Sequence, residues 1–306
     1  MAFTAKDVQR LREQTGCGMM DCKKALTASD GDFDKAVEFL REKGLAASQK
    51  KAGRIAAEGM AYAANIDGVG VVVEVNAETD FVAKNEKFVE FVKGVAATVA
   101  AVKPADLDAL LAAKYNGTER TVAEEQQEMV LVIGENIKVR RFHFFTEGTS
   151  VAYVHGGGRI GVLVNLEVSG EADVTEMGKD VAMQIAALNP RFWDKSNVTQ
   201  DVLDNEKKIM LVQMENDPKM AGKPEKVKEN IVMGKLNKFY TENCLLQQEF
   251  VKDNTMTVEK YIAASAKALG VTVSFKDAVR FEKGEGIEKK VEDYAAEVAK
   301  LAGTAN

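Results

Sequence analysis

Apolar residues recur along this chain at two spacings, and the switches between them mark its elements. Over the first stretch the spacing is helical. Val8 and Leu11 lie three apart, Gly16-Cys17-Gly18 interrupts, and Met19, Met20, Ala25 and Leu26 belong to a second helix. A third opens at Asp32, a side chain suited to an N-cap, carries Phe33, Ala36, Val37 and Leu40 on one face, and is expected to end at Gly44. Three short helices bury little core alone, and the basic, alanine-rich Ala46 to Arg54 segment reads as a helical or flexible tether. Two adjacent methionines cannot share one helix face, so one of Met19 and Met20 is expected to point outward.

The pattern then changes twice in the same order. Glu58-Gly59 is followed by a strand, a turn at Asp67-Gly68, the apolar run Val69 to Val75, and a helix from about Asn85 with Phe88, Val92, Val95 and Val99 in register, ending near Pro104. Later, Glu147-Gly148 is followed by a strand, a turn at Gly156-Gly157-Gly158, the run Gly161 to Glu167 and a helix ending near Pro190. Modest insertions align the two passages. The fold class this implies is α+β, with a duplicated core of two subdomains, each an antiparallel sheet backed by helices.

The halves differ where the apolar strand gives way to the helix. The first has Thr79-Asp80-Phe81-Val82, an acid beside a large aromatic, and the second has the polar Ser169-Gly170-Glu171-Ala172-Asp173. Connections run over the surface and carry function, so Phe81 is either the end of the local core or a probe aimed at a partner. A plug needed by the fold should appear in both halves, and the aromatic appears in one.

Between Trp193 and Phe250 the periodicity is again helical. Val202, Ile209 and Met210 mark one helix, Val227, Ile231, Leu236, Phe239 and Tyr240 another, and Asp217-Pro218 through Pro224 supplies the turn. An antiparallel coiled-coil hairpin results, either projecting as a surface for a second copy or partner, or folded on the body. A helix around Val258 to Leu269, a strand from Val271 to Phe281 and a terminal amphipathic helix carrying Ile287, Val291, Tyr294, Val298 and Leu301 complete the chain. The expected divisions are 1–54 for the helical module and tether, 55–142 for the first core subdomain, 143–190 with 242–282 for the second, 191–241 for the inserted hairpin and 283–306 for a C-terminal helical module.

Composition narrows the function class. The 306 residues carry a formal charge of −6, so general nucleic-acid binding through phosphate contacts is not expected, and the expected partner is protein. Three cysteines, Cys17, Cys22 and Cys244, lack metal-ligand spacing and fit reduced thiols in a cytoplasmic protein. No membrane-spanning run and no apolar signal core is evident. Two histidines, His143 and His155, build no metal cluster, and Gly156-Gly157-Gly158 lacks the lysine and hydroxyl of a phosphate loop. No cofactor is implied, and an enzyme is the weaker class.

Four passages in order carry a family resemblance: Thr15-Gly16-Cys17-Gly18-Met19-Met20-Asp21-Cys22-Lys23-Lys24-Ala25-Leu26, Val73-Glu74-Val75-Asn76-Ala77-Glu78-Thr79-Asp80-Phe81-Val82-Ala83, Ile133-Gly134-Glu135-Asn136-Ile137, and Arg280-Phe281-Glu282-Lys283-Gly284-Glu285-Gly286. Together they resemble bacterial elongation factor Ts along nearly the whole chain. The resemblance implies a UBA-like three-helix module, a duplicated core with an inserted hairpin and a terminal helix, and a guanine nucleotide exchange factor that is not itself an enzyme. The implied partner is elongation factor Tu, GDP-bound and nucleotide-free. By the same resemblance Thr79, Asp80, Phe81 and Val82 approach the magnesium and nucleotide site of the GTPase, with the phenylalanine wedged between helices. Arg12, Met19 and Met20 contact the same domain, and His155, in Tyr153-Val154-His155, its third domain. A homodimer through the hairpin is implied only in kind. An RNA- or ribosome-binding adaptor without exchange activity is the alternative, against which the acidic balance weighs.

Overall fold

A computed structural model describes residues 3–288, apart from the side chains of Pro218 and Ala221. The terminal helix expected from Ile287 to Leu301 therefore lies almost wholly outside the described residues. Three helices open the chain: α1 (Ala5–Thr15), α2 (Met19–Ala28) and α3 (Phe33–Lys51). Asp32 caps α3 as its side chain accepts the Lys35 N–H at 3.1 Å. Val8, Leu11, Cys17, Cys22, Ala25, Leu26, Ala36 and Leu40 close over one another as a small core.

The expected stop at Gly44 does not occur, and α3 continues to Lys51. Gly44 is buried within the helix, where a Cβ would meet the Gln127 carbonyl at 3.4 Å. Gly44 is not left-handed and so is no C-cap; it lies where α3 packs on the helix carrying Gln127, and glycine at a helix end and glycine at a helix contact share only their lack of a side chain.

The core contains two three-stranded antiparallel sheets. β1 (Glu58–Ile66), β2 (Val69–Ala77) and β3 (Lys138–Phe145) form the first with β2 central, and α4 (Glu86–Val102), α5 (Leu107–Ala112) and α6 (Val122–Ile133) lie between β2 and β3 in sequence. β3 continues through Phe145, beyond the subdomain boundary expected at 142. β4 (Thr149–His155), β5 (Ile160–Ser169) and the later β8 (Thr272–Glu282) form the second sheet with β5 central. Between them the chain makes α7 (Thr175–Leu188), α8 (Gln200–Glu215), α9 (Pro218–Ala221), α10 (Glu225–Asn243), the small hairpin β6 (Glu249–Phe250) and β7 (Asp253–Thr257), and α11 (Val258–Leu269).

The unbroken apolar run of β2 follows from burial on both faces. Val71, Val73 and Val75 pack with Phe88, Val92, Val95 and Val99 of α4. Val72, on the opposite face, packs with Ala61, Ala63, Leu163 and Phe281 between the sheets. β5 repeats the arrangement: Val162, Val164 and Leu166 meet Val181 and Ile185 of α7, and Leu163 turns inward. Each such valine or leucine contributes roughly 1.5–3 kcal/mol by leaving water.

The duplication extends to detail. Register shifts fall at Glu74/Val75 in β2 and at Asn165/Leu166 in β5, related by the same offset as Gly70 and Gly161. Those glycines make reciprocal contacts, Gly70 against Ser150 of β4 and Gly161 against Ala61 of β1. A Cβ at Gly70 would collide with Ser150, and one at Gly161 would press on the Ala61 backbone at 3.2 Å. In the hairpin, Met210 and Met214 of α8 pack with Val232, Leu236 and Phe239 of α10, while Ile209 and Val227 are exposed.

Candidate functional site

β2 ends at Ala77, and the chain leaves the sheet for four residues before re-entering the core at Val82. Thr79, Asp80 and Phe81 are exposed, Phe81 at 82%, whereas Val82 is 6% exposed within the cluster formed by β2 and α4. The two readings of this junction therefore divide between neighbours. Val82 closes the core, as buried Val174 does ahead of α7 in the second half, and Phe81 has no share in it.

Both ends of the excursion are anchored. Upstream, Glu135 Oε2 accepts the backbone N–H groups of Glu78 and Thr79, each at 3.0 Å, and Glu135 Oε1 accepts the Thr79 hydroxyl at 2.6 Å. The Glu78 carboxylate in turn accepts the Asn136 N–H at 2.7 Å. Glu135 is aimed there by Gly134, which ends α6 with φ of 86°, a left-handed conformation glycine adopts without strain. Downstream, Lys84 and Asn85 N–H donate to the Phe81 and Val82 carbonyls at 3.2 and 2.9 Å, and the Asn85 side chain caps α4. Among the described residues no hydrogen bond or ion pair to the Asp80 carboxylate is seen, and Asp80 is exposed.

In the helical module both Met19 (43%) and Met20 (61%) are exposed, and so is Arg12. One methionine is expected to point outward, and both do, because the buried face of α2 begins only at Cys22. The module is fixed to the body. Gly16, left-handed at φ 70°, lies beside the end of the Lys87 side chain from the first turn of α4, and the Cys17 thiol donates to Glu128 of α6 at 3.7 Å. Burial raises the Glu128 carboxyl above the usual carboxylate range against the pull of Arg120 3.8 Å away. Burial likewise pushes the Cys17 thiol up to about 11, so it stays protonated and donates.

His155 closes β4 and is exposed, its Nδ1 2.9 Å from the Tyr153 hydroxyl on the same strand face. The turn behind it rests on β1, where Ala61 N–H donates to the Gly158 carbonyl at 2.8 Å and Gly158 touches Met60. Met60 pairs with Val75. The Gly16 and Gly158 contacts thus both lie toward the end of β2 from which the loop departs.

A second network holds β2 from within. The fully buried Glu74 is paired with Arg140 at 2.9 Å and with Arg141, and accepts the Gly284 N–H at 2.7 Å. Gly284, with φ of 70°, approaches the Ala57 carbonyl too closely for any side chain. Periodicity missed Glu74 and Glu135, whose partners are distant in sequence; only their place in the quoted motifs marked them.

The elongation factor Ts family model matches residues 78–285. The elongation factor Ts of Syntrophotalea carbinolica is 49% identical over 305 residues, 98% of this chain and 99% of its own length. Those of Clostridium kluyveri (48% over 304 residues; 97% and 98% coverage) and Clostridium perfringens strain SM101 (49% over 306 residues; 98% and 99%) are similarly alike. The chain belongs to the elongation factor Ts family. The work of elongation factor Ts is nucleotide exchange in translation elongation, and the anchored aromatic loop falls inside the matched region. Among the described residues no helix is long and apolar enough to cross a membrane.

Proposed function

We propose that the chain releases GDP from elongation factor Tu by inserting Phe81 into the nucleotide domain of the GTPase, while Asp80 and the adjoining backbone of Thr79 and Val82 disturb its magnesium and phosphate site. The observation that carries this reading is the exposure of Phe81 on a loop anchored at both ends. An apolar ring held in water has its surface still to bury, and a fixed backbone spares the ordering cost on association.

GDP is held on such GTPases largely by phosphate contacts to backbone N–H groups and by Mg²⁺. Each charge-assisted contact is worth roughly 1.5–3 kcal/mol net, and every ~1.4 kcal/mol is tenfold in affinity. Disturbing two or three contacts therefore changes GDP affinity by orders of magnitude. Linkage makes the antagonism reciprocal, so GTP entering the emptied site expels the factor. Exposed Arg12, Met19 and Met20 of the UBA-like module supply a second contact with the nucleotide domain, and His155, oriented by Tyr153, a third elsewhere on the GTPase. Exposed Ile209, Val212 and Met233 support the hairpin as a contact surface, with a second copy the proposed occupant. The reaction belongs in the cytoplasm, with translation.

The test is to mix the chain with elongation factor Tu preloaded with fluorescent GDP. Release should accelerate at factor concentrations far below that of the GTPase. Release at the intrinsic rate would overturn the proposal, and salt-sensitive tRNA binding without acceleration would favour the RNA-binding adaptor.

A further inference from the structure

Three donors converge on one carboxylate beside the loop: the Glu78 N–H, the Thr79 N–H and the Thr79 hydroxyl all point at Glu135. An ionised carboxylate, which only accepts, suits this arrangement. The contact is reciprocated through Asn136, whose N–H donates to Glu78 and whose Nδ2 donates to the Arg54 carbonyl at 2.8 Å; Arg54 also lies 3.5 Å from Glu78. The turn after α6, the exit of β2 and the segment following α3 therefore meet at a single cluster.

We infer that Glu135 is a positioning residue for exchange, fixing the conformation in which Thr79 and Asp80 present Phe81. The inference rests on the proposed insertion of Phe81 and adds a residue that itself touches neither nucleotide nor GTPase. Its physical basis is the exposure of what it holds. Thr79 lies at the surface, so water would satisfy its donors if Glu135 were absent, and folding gains little from the clamp. What the clamp removes is freedom. One end of the excursion is already fixed by buried Val82, and without Glu135 the other end samples many conformations, of which few aim the ring at a partner. Association would then have to order the loop. The contact with Arg54 ties the chain leaving the helical module to the same cluster, so the module and the loop are presented together.

A double-mutant cycle tests the inference. Glu135→Ala is expected to slow GDP release at saturating factor by about tenfold, the scale of ordering one further residue, with little change in the unfolding midpoint. Glu135→Gln keeps an oxygen for the two N–H groups and should recover most of the rate. In a Phe81→Ala background Glu135→Ala should slow release by clearly less than it does in the parent, since the ring is no longer there to aim and only the Asp80 and backbone contacts remain to be positioned. A wild-type rate for Glu135→Ala alongside a slow Phe81→Ala, or fully multiplicative effects in the double variant, would overturn the positioning role. A wild-type rate for Phe81→Ala would instead overturn the insertion reading. Amide hydrogen exchange on the unmutated protein gives a readout independent of any variant's folding: Glu78 and Thr79 N–H should be protected, and exchange at the free-peptide rate would refute the clamp.

Discussion

Phe81→Ala and Val82→Ala alter adjacent residues and should have opposite consequences. Phe81 is 82% exposed, so its truncation should change unfolding free energy by no more than about 0.5 kcal/mol. Full burial of a phenylalanine is worth roughly 1.5–3 kcal/mol. With some four-fifths of the side chain still in water, about 1–2.5 kcal/mol remains to be gained against the GTPase, equivalent to a roughly five- to sixtyfold slower GDP release. Val82 is 6% exposed in the core between β2 and α4. Removing its two methyl groups should cost roughly 2 kcal/mol of stability, counting the lost transfer free energy and a small cavity. The assays are stopped-flow release of fluorescent GDP at saturating factor and equilibrium urea unfolding, run on both variants. If Phe81→Ala destabilises the fold as much as Val82→Ala does and leaves release unchanged, the division between a ring for the partner and a valine for the core is wrong.

Glu74→Ala should lower stability by about 1–3 kcal/mol, because the buried Gly284 N–H loses its acceptor and Arg140 its carboxylate while Arg141 keeps Glu285; an unchanged urea midpoint would refute the role given to this network. Glu128 supplies a pH test. Its folded-state carboxyl lies above the ordinary 4.5 through burial, so the native state holds the proton more tightly and its favourable contribution is lost as pH rises from that value through the raised one. Glu128→Gln should therefore gain stability relative to the parent over that window, and parallel curves of urea midpoint against pH would refute the assignment.

Much of the architecture was legible because it is written in local periodicity. The run from Val69 to Val75 is a strand buried on two faces, and the paired glycines at 70 and 161 register the duplication that the sheets repeat. Gly44 misled because glycine at a helix end and glycine under a crossing helix look alike in one dimension. The exposure of Phe81 could be suspected from the polar counterpart after β5, yet its separation from Val82 depends on which side of the turn faces α4. What supports the loop was not legible from spacing at all. Glu135 reaches back 57 residues to Glu78, and Gly284 reaches back 210 residues to Glu74; such pairings follow from tertiary packing, on which local pattern is silent.

That last span has a consequence for how the protein is made. Synthesis proceeds from the N-terminus, so β1 and β2 leave the ribosome long before Gly284 does. Until then Glu74 lacks one of its donors, on the same strand that ends in the Thr79 loop. A nascent chain that already carries Phe81 is accordingly an unfinished tool, and a product truncated ahead of residue 284 would display the loop on a strand still short of its final hydrogen bond.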